Sequence, residues 1–190
     1  MGPELKTEFR VSDDIRLRMF REGDAVGVFH TVVRNLEHLK PFMHWATPEY
    51  SVESAREFIE ISLSSAEARR GFSFGLFDRG EFIGSVGFVK FDWTVRKTEI
   101  GYWIDKEEEG KGIVSAACRV LIDYAIDELR MNRVEIRCSS ENKRSAAIPE
   151  RFGFKKEGVL RQSEFRDGRL HDFFIFGLLA DEWRSNRLTD

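Results

Sequence analysis

A chain of 190 residues with 42% hydrophobic and 33% charged residues can bury a substantial core and is too apolar to stay disordered. Its 30 Lys and Arg stand against 33 Asp and Glu, a net charge of −3, which argues against nucleic acid as a partner because phosphate contacts need a basic surface. The two cysteines, Cys118 and Cys138, form no C-x-x-C, so a disulfide framework or a zinc site has almost no support and no metal is expected. The N-terminal stretch is charged, no run approaches 18 apolar residues, and neither export nor a membrane is expected; the cytoplasm is the default compartment.

Alternation of apolar and basic residues over Ile15–Phe20 predicts a first strand. Asp24 is placed to cap a helix with Ala25, Val28, Phe29, Val32, Val33 and Leu36 on its apolar face, stopped by Pro41. A looser segment with His44, Trp45 and Pro48 follows, and Ser51 can cap a second helix. After Gly71 the period drops to two: Phe72–Phe77 and Phe82–Phe91 flank Asp78-Arg79-Gly80-Glu81 and read as a hairpin. Thr98–Ile104 is another strand, Val114–Leu129 a one-faced helix that buries Cys118, and Arg133–Cys138 a strand. Asn142–Phe152 reads as a short helix ended by Gly153, and two last strands flank Asp167-Gly168. Without an internal repeat or a linker, the order predicts one α/β domain: a mixed sheet with a helical crossover between the strands at 98–104 and 133–138.

Gly110-Lys111-Gly112 stands between a strand and a helix. Glycines permit backbone angles closed to other residues, and the free N–H groups of a first helical turn bind anions. A Walker A loop fails, because Asp105 stands where its first Gly belongs and Gly112 replaces the Ser or Thr after Lys111; a Rossmann turn fails at Ser115. A ligand-free turn and a phosphate site both remain open on this motif alone.

Its surroundings carry a resemblance. Residues 99–126, from EIGYWI through the glycine turn, resemble motif A of the GNAT superfamily of N-acetyltransferases, in which a Q/R-x-x-G-x-G/A loop grips the coenzyme A diphosphate through main-chain N–H groups. The matching positions read Glu109-Gly110-Lys111-Gly112-Ile113-Val114; Glu109 replaces the usual Gln or Arg, and Val114 the usual Gly or Ala. Residues 141–162 resemble motif B. NLEHLKPFMHW (35–45), FGFKKEGVLR (152–161) and DGRLHDFFIFGLL (167–179) are similar to the branch that contains ribosomal-protein N-terminal acetyltransferases, and the likeness spans roughly 14–183.

The resemblance implies a single-domain GNAT fold over the chain: a central, mainly antiparallel sheet flanked by helices, with the strands 98–104 and 133–138 splayed around acetyl-coenzyme A. It implies transfer of an acetyl group to a primary amine, foremost a protein N-terminus such as that of a ribosomal protein; a small amine or a non-catalytic acyl-CoA-binding module are the alternatives. The cofactor would lie on Trp103, Ile104, Glu109, Gly110, Lys111, Gly112, Ile113, Val114 and Asn142. Glu164, ten residues after Phe154, matches the base of the ribosomal-protein branch, and Glu99 that of histone-type relatives. Pro149 occupies the position of the usual acid tyrosine, and Ser145 matches the serine given that role in this branch. Trp45 and His44 are expected either to line the acceptor pocket or simply to pack between helices, and His171 as a satisfied structural residue. Relatives are often dimers, which makes a homodimer an expectation by analogy.

Overall fold

The structure, a computed structural model, describes residues 5–166 and 168–187. In chain order the elements are β1 (Glu8–Arg10), β2 (Ile15–Met19), α1 (Ala25–Arg34), α2 (Leu36–Leu39), α3 (Val52–Glu67), β3 (Phe72–Asp78), β4 (Glu81–Asp92) and β5 (Lys97–Ile104). There follow α4 (Ile113–Asp123), β6 (Arg133–Ser139), α5 (Lys143–Arg151), β7 (Lys155–Arg166), β8 (Arg169–Leu179) and α6 (Ala180–Arg187). Period-two patterning puts alternate residues of each strand on opposite faces, and both faces are covered. On one, Ile100, Val134, Ile136 and Phe176 pack with Ala117, Cys118 and Leu121 of α4. On the other, Phe77 and Phe82 pack with Val28 and Val32 of α1 and Ala55 and Ile59 of α3.

The strands join in one mixed sheet in the order β1-β2-β3-β4-β5-β6-β8-β7. Every neighbouring pair is antiparallel except β5 and β6, which run parallel with α4 as the crossover. That pair is short. It runs from Lys97↔Arg133 to Ile100↔Ile136 and then stops. Beyond it β5 stays on β4 as far as Gly84↔Ile104, and β6 stays on β8 as far as Ser139↔Phe173. Each strand is held on its outer side, so the two diverge and leave a gap in the middle of the sheet.

Local chemistry accounts for most boundaries. Arg79 and Gly80 both take positive φ (47° and 93°), the twist a two-residue hairpin turn requires. Ser51 Oγ accepts the Ser54 N–H (3.2 Å), and Ser54 Oγ accepts the Ser51 N–H (3.3 Å), a reciprocal cap for α3. Asp24 departs from expectation: its carboxylate accepts both Arg18 Nη1 and Nη2 at 2.7 Å and the Arg21 N–H at 2.7 Å, and makes no side-chain cap to α1. The apolar period that runs to Leu129 is met in two parts, α4 and then a wider π turn over Tyr124–Glu128, in which the Leu129 N–H reaches the Tyr124 carbonyl (3.0 Å). Two elements escaped the sequence pattern. β1 has only three residues, and α6 buries only Ala180 and Trp183, too little for a periodic stripe. Of the predicted final turn, Asp167 lies outside the described residues; Gly168 has φ 74°.

Replacing Ser51 by Ala should remove the α3 cap and lower stability by about 1 kcal/mol. Urea titration checks this: the midpoint should fall with an unchanged slope.

Candidate active site

β5 ends at Asp105, whose buried carboxylate accepts Arg34 Nε (2.7 Å) and the Glu107 N–H (3.1 Å), while Asn35 Oδ1 accepts the Lys106 N–H (2.9 Å). The start of the glycine turn is thereby anchored to α1. Burial alone would raise the Asp105 carboxyl; hydrogen bonds from the Glu107 N–H, Arg34 and Asn35 outweigh it and hold the group below the usual carboxylate range.

Gly110 and Gly112 take φ 75° and 77°, a handedness that other L-residues rarely adopt. A Cβ built on either meets no atom within 4 Å, so glycine is required for the backbone angle, and the space over the loop is open. The Ala116 N–H bonds the Gly112 carbonyl (2.9 Å), and no side chain caps α4. The N–H groups of Ile113, Val114 and Ser115 therefore have no intrahelical acceptor and point at that space with the positive end of the helix dipole. The side chain of Val114 is buried in the core beneath, so its bulk stays clear of the amides. Glu109, the acidic departure in the loop, is engaged from both sides: Glu109 Oε1 lies 3.2 Å from His38 Nε2, and Oε2 accepts Arg144 Nη1. Lys111 Nζ bonds Glu108 (2.8 Å).

The gap between β5 and β6 opens beside this nest. Tyr102 and Trp103, adjacent in β5, face opposite sides: Tyr102 packs with the α4 core, Trp103 with the α1/α3 core. Trp103 packs within 5.8 Å of Trp45 and 5.6 Å of Phe82, so only its main chain faces the gap, as does that of Ile104. Tyr102 donates its hydroxyl to the Ser145 carbonyl (2.9 Å), and Ser145 Oγ donates to Tyr102 OH (3.2 Å). Burial, with Cys118 adding to it, pushes the Tyr102 phenol well above its usual range. Asn142 caps α5, its Oδ1 accepting the Ser145 N–H (3.0 Å), which fixes Ser145 at the gap and leaves the Asn142 amide nitrogen for another partner. Burial pushes the Cys138 thiol up to about 11 and raises the Cys118 thiol as well, which disfavours the thiolate in both.

On the opposite face stand the carboxylates. Glu164 Oε2 accepts Arg166 Nε (2.8 Å), and Arg166 Nη2 bonds Ser139 Oγ (3.3 Å) at the end of β6. Glu99 lies back on the paired part of β5, its Oε2 2.9 Å from Lys90 Nζ and 3.4 Å from Arg137 Nε. Two cations therefore occupy Glu99, whereas Glu164 stands beyond the last β5–β6 pair. His171 is buried, its ring nitrogens 3.1 Å from Glu141 Oε2 and 3.2 Å from the Arg166 carbonyl oxygen, a structural pairing. Trp45 lies over Trp103 and Tyr50, while His44 is exposed. Sequence reasoning missed Tyr102 and Arg166. Strand parity carried a signal for both: Tyr102 shares the α4 face with Ile100, and Arg166 shares Glu164's face two residues on.

A parallel pair that opens over an amide-lined glycine turn, with hydroxyls on one side and a carboxylate on the other, defines an acyltransferase that takes its donor as a coenzyme A thioester. The family model of the acetyltransferase (GNAT) domain matches residues 14–155, and the chain belongs to that family. It is similar to YdaF of Bacillus subtilis (strain 168), provisionally named a ribosomal N-acetyltransferase, with 37% identity over 179 residues, covering 94% of this chain and 98% of that one. It is 26% identical to the ribosomal-protein-serine acetyltransferase of Escherichia coli (strain K12) over 172 residues, 90% of this chain and 96% of that one. Among solved structures, the microcin C7 self-immunity acetyltransferase MccE in complex with acetyl-CoA and AMP superposes with a TM-score of 0.86 at 26% identity, covering 92% and 97% of the two chains. The enzyme is thus an acetyl-CoA-dependent N-acetyltransferase of GNAT fold.

Gly112→Ala should weaken coenzyme A binding about tenfold, because a left-handed alanine costs about 1–2 kcal/mol where the loop must curl around its ligand; isothermal calorimetry reads this. Asp105→Asn should lower stability at neutral pH. A depressed carboxyl stabilises the fold above its unfolded pKa and loses that contribution as pH falls through its folded one. The gap between wild type and variant in thermal melts should therefore close below about pH 4.

Proposed function

We propose that this enzyme acetylates the N-terminal α-amine of a protein, foremost a ribosomal protein, with Glu164 as base and with Ser145, held by Tyr102, stabilising the departing sulfur. The observation that carries the reading is the gap between β5 and β6, with the glycine nest and the Ser145–Tyr102 pair beside one face and Glu164 beside the other. The names of YdaF and of the Escherichia coli relative support the choice of acceptor. The unit would be one domain over roughly residues 14–183. It would work in the cytoplasm, where thioester donor and ribosomes meet.

Acetyl-coenzyme A, when bound, supplies an acetyl carbonyl carbon open to attack. The amides of Gly110–Ser115 would hold its diphosphate, and the main chain of Gly101–Ile104, paired with β4 but unpaired on its β6 side, its pantetheine arm, with Asn142 at the gap. Glu164 then takes a proton from the incoming amine. At neutral pH, freeing a lysine-like amine of pKa ~10.4 costs roughly 4–5 kcal/mol, against about 1 kcal/mol for an α-amine near ~8, so a carboxylate suffices only for the latter. Glu164 Oε1 takes no hydrogen bond among the described residues, while Arg166 fixes Oε2. The Ser145 and Tyr102 hydroxyls are weaker acids than a thiol, so the Ser145 hydroxyl turns from Tyr102 to hydrogen-bond the leaving sulfur while Tyr102 stays on the Ser145 carbonyl, and the proton that settles on sulfur originates on the amine. Glu99, already engaged by Lys90 and Arg137, orients its neighbours.

A screen of free-N-terminus peptides, lysine-only acetyl-blocked peptides and small amines tests the reading. Free α-amines should be acetylated; turnover of polyamines or amino-sugars alone would contradict it, and CoA binding without turnover of any acceptor would mark a binding module. Glu164→Gln should lower kcat about a hundredfold with the KM for acetyl-CoA nearly unchanged. Unchanged kcat would move the base to Glu99 or water.

A further inference from the structure

Arg166 is the most deeply buried charge on the acceptor side, its side chain 3% exposed. Two of its three nitrogens are engaged, Nε by Glu164 and Nη2 by Ser139 Oγ; Nη1 is buried and without a hydrogen-bond partner among the described residues. A guanidinium N–H without an acceptor is costly, and native folds tolerate few such groups. The guanidinium carbon lies 6.0 Å from the ring of Phe42, which belongs to the segment between α2 and α3. That segment also carries Trp45, which packs at a tilt against Trp103. An aromatic side chain of that segment therefore stands near the guanidinium, whose other neighbour is the carboxylate assigned as base.

We propose that Arg166 Nη1 is the acceptor-reading donor of the site, taking the carbonyl oxygen of the acceptor's first residue while Glu164 takes its α-amine. This rests on the reading of the acceptor as a protein N-terminus and adds how it is told from other amines. Within one residue the amine nitrogen and carbonyl oxygen lie about 3 Å apart, three bonds from each other, with rotation about Cα–C changing the distance only modestly. The Glu164–Arg166 ion pair, closed between Oε2 and Nε at 2.8 Å, sets a carboxylate and a guanidinium side by side and leaves Oε1 as an acceptor and Nη1 as a donor on neighbouring groups. A lysine side chain or a polyamine has no carbonyl at that distance from its nitrogen and leaves Nη1 without a partner. Nη1 is buried and so kept from water until the acceptor's first residue reaches it. Arg166 thereby determines specificity by contact as well as positioning the base.

The test crosses enzyme and substrate. Wild type and Arg166→Lys are assayed with a short peptide amide and with an analogue in which the first carbonyl is replaced by methylene. With kcat/KM referred to the unprotonated fraction of each amine, since loss of the carbonyl also raises the amine's pKa, wild type should prefer the carbonyl-containing acceptor by roughly ten- to hundredfold, the range for one charge-assisted hydrogen bond. Arg166→Lys keeps a cation beside Glu164 but lacks the third nitrogen, and should act on both acceptors at nearly the same rate. If Arg166 only positioned Glu164, the variant would slow on both acceptors and keep the wild-type preference; that result overturns the proposal. The wild-type comparison stands even should the variant fail to fold, and coenzyme A calorimetry reports whether it does. A wild type that acetylates the methylene analogue as well as the peptide overturns the role of Arg166 and leaves α-amine acetylation in place. One that acetylates neither overturns both.

Discussion

The structure depends on a competition between neighbours. β5 and β6 could pair along their whole length, but β4 holds β5 as far as Ile104 and β8 holds β6 as far as Ser139, while their own ladder ends at Ile100 and Ile136. Both outer pairs are antiparallel and continue where the parallel one stops. The result is a sheet with main-chain groups facing inward over Gly101–Ile104, a state that a globular fold rarely leaves without a partner. An extended ligand with its own amide groups satisfies it, and the glycine nest beside the gap supplies the complementary anion site.

Charge is arranged to suit. The loop that faces a diphosphate carries acids at 107, 108 and 109, an unfavourable neighbourhood taken alone. The fold answers with Lys111 on Glu108, and with His38 and Arg144 on Glu109, drawn from α2 on one side and α5 on the other. Glu109 thus joins three elements around the cofactor loop, which gives the departure from the usual Gln or Arg a structural role. On the opposite face, Glu99 and Glu135 are likewise enclosed by Lys90, Lys97, Arg133 and Arg137. Among the described residues Glu164 makes one ion pair, through a single oxygen, and that contrast separates a structural carboxylate from one that can act.

Much of this was legible in the sequence. Period-two and helical patterns found the core elements because each buries one face, and Gly110 and Gly112 announced the loop because only glycine takes that handedness cheaply. β1 and α6 were missed because three residues, or two buried side chains, carry no period. Asp24 was misread because a carboxylate beside a helix start serves a cap or an arginine equally well, and only the fold brings Arg18 to it. The partners of the site residues were illegible for the same reason. Tyr102 and Ser145 are 43 positions apart, Arg166 and Ser139 are 27 apart, and no local pattern encodes such pairings.

The central claim is that bare amides of one glycine turn grip a diphosphate while the parted strands hold the arm that follows it. Backbone amide NMR during titration with coenzyme A, and separately with pantetheine, which lacks the diphosphate, tests it most directly. Coenzyme A should shift the amides of Gly110–Ser115 together with Gly101–Ile104, whereas pantetheine should move only the second group. Shifts centred elsewhere, or a response at Gly110–Ser115 that is the same for both compounds, would contradict the account.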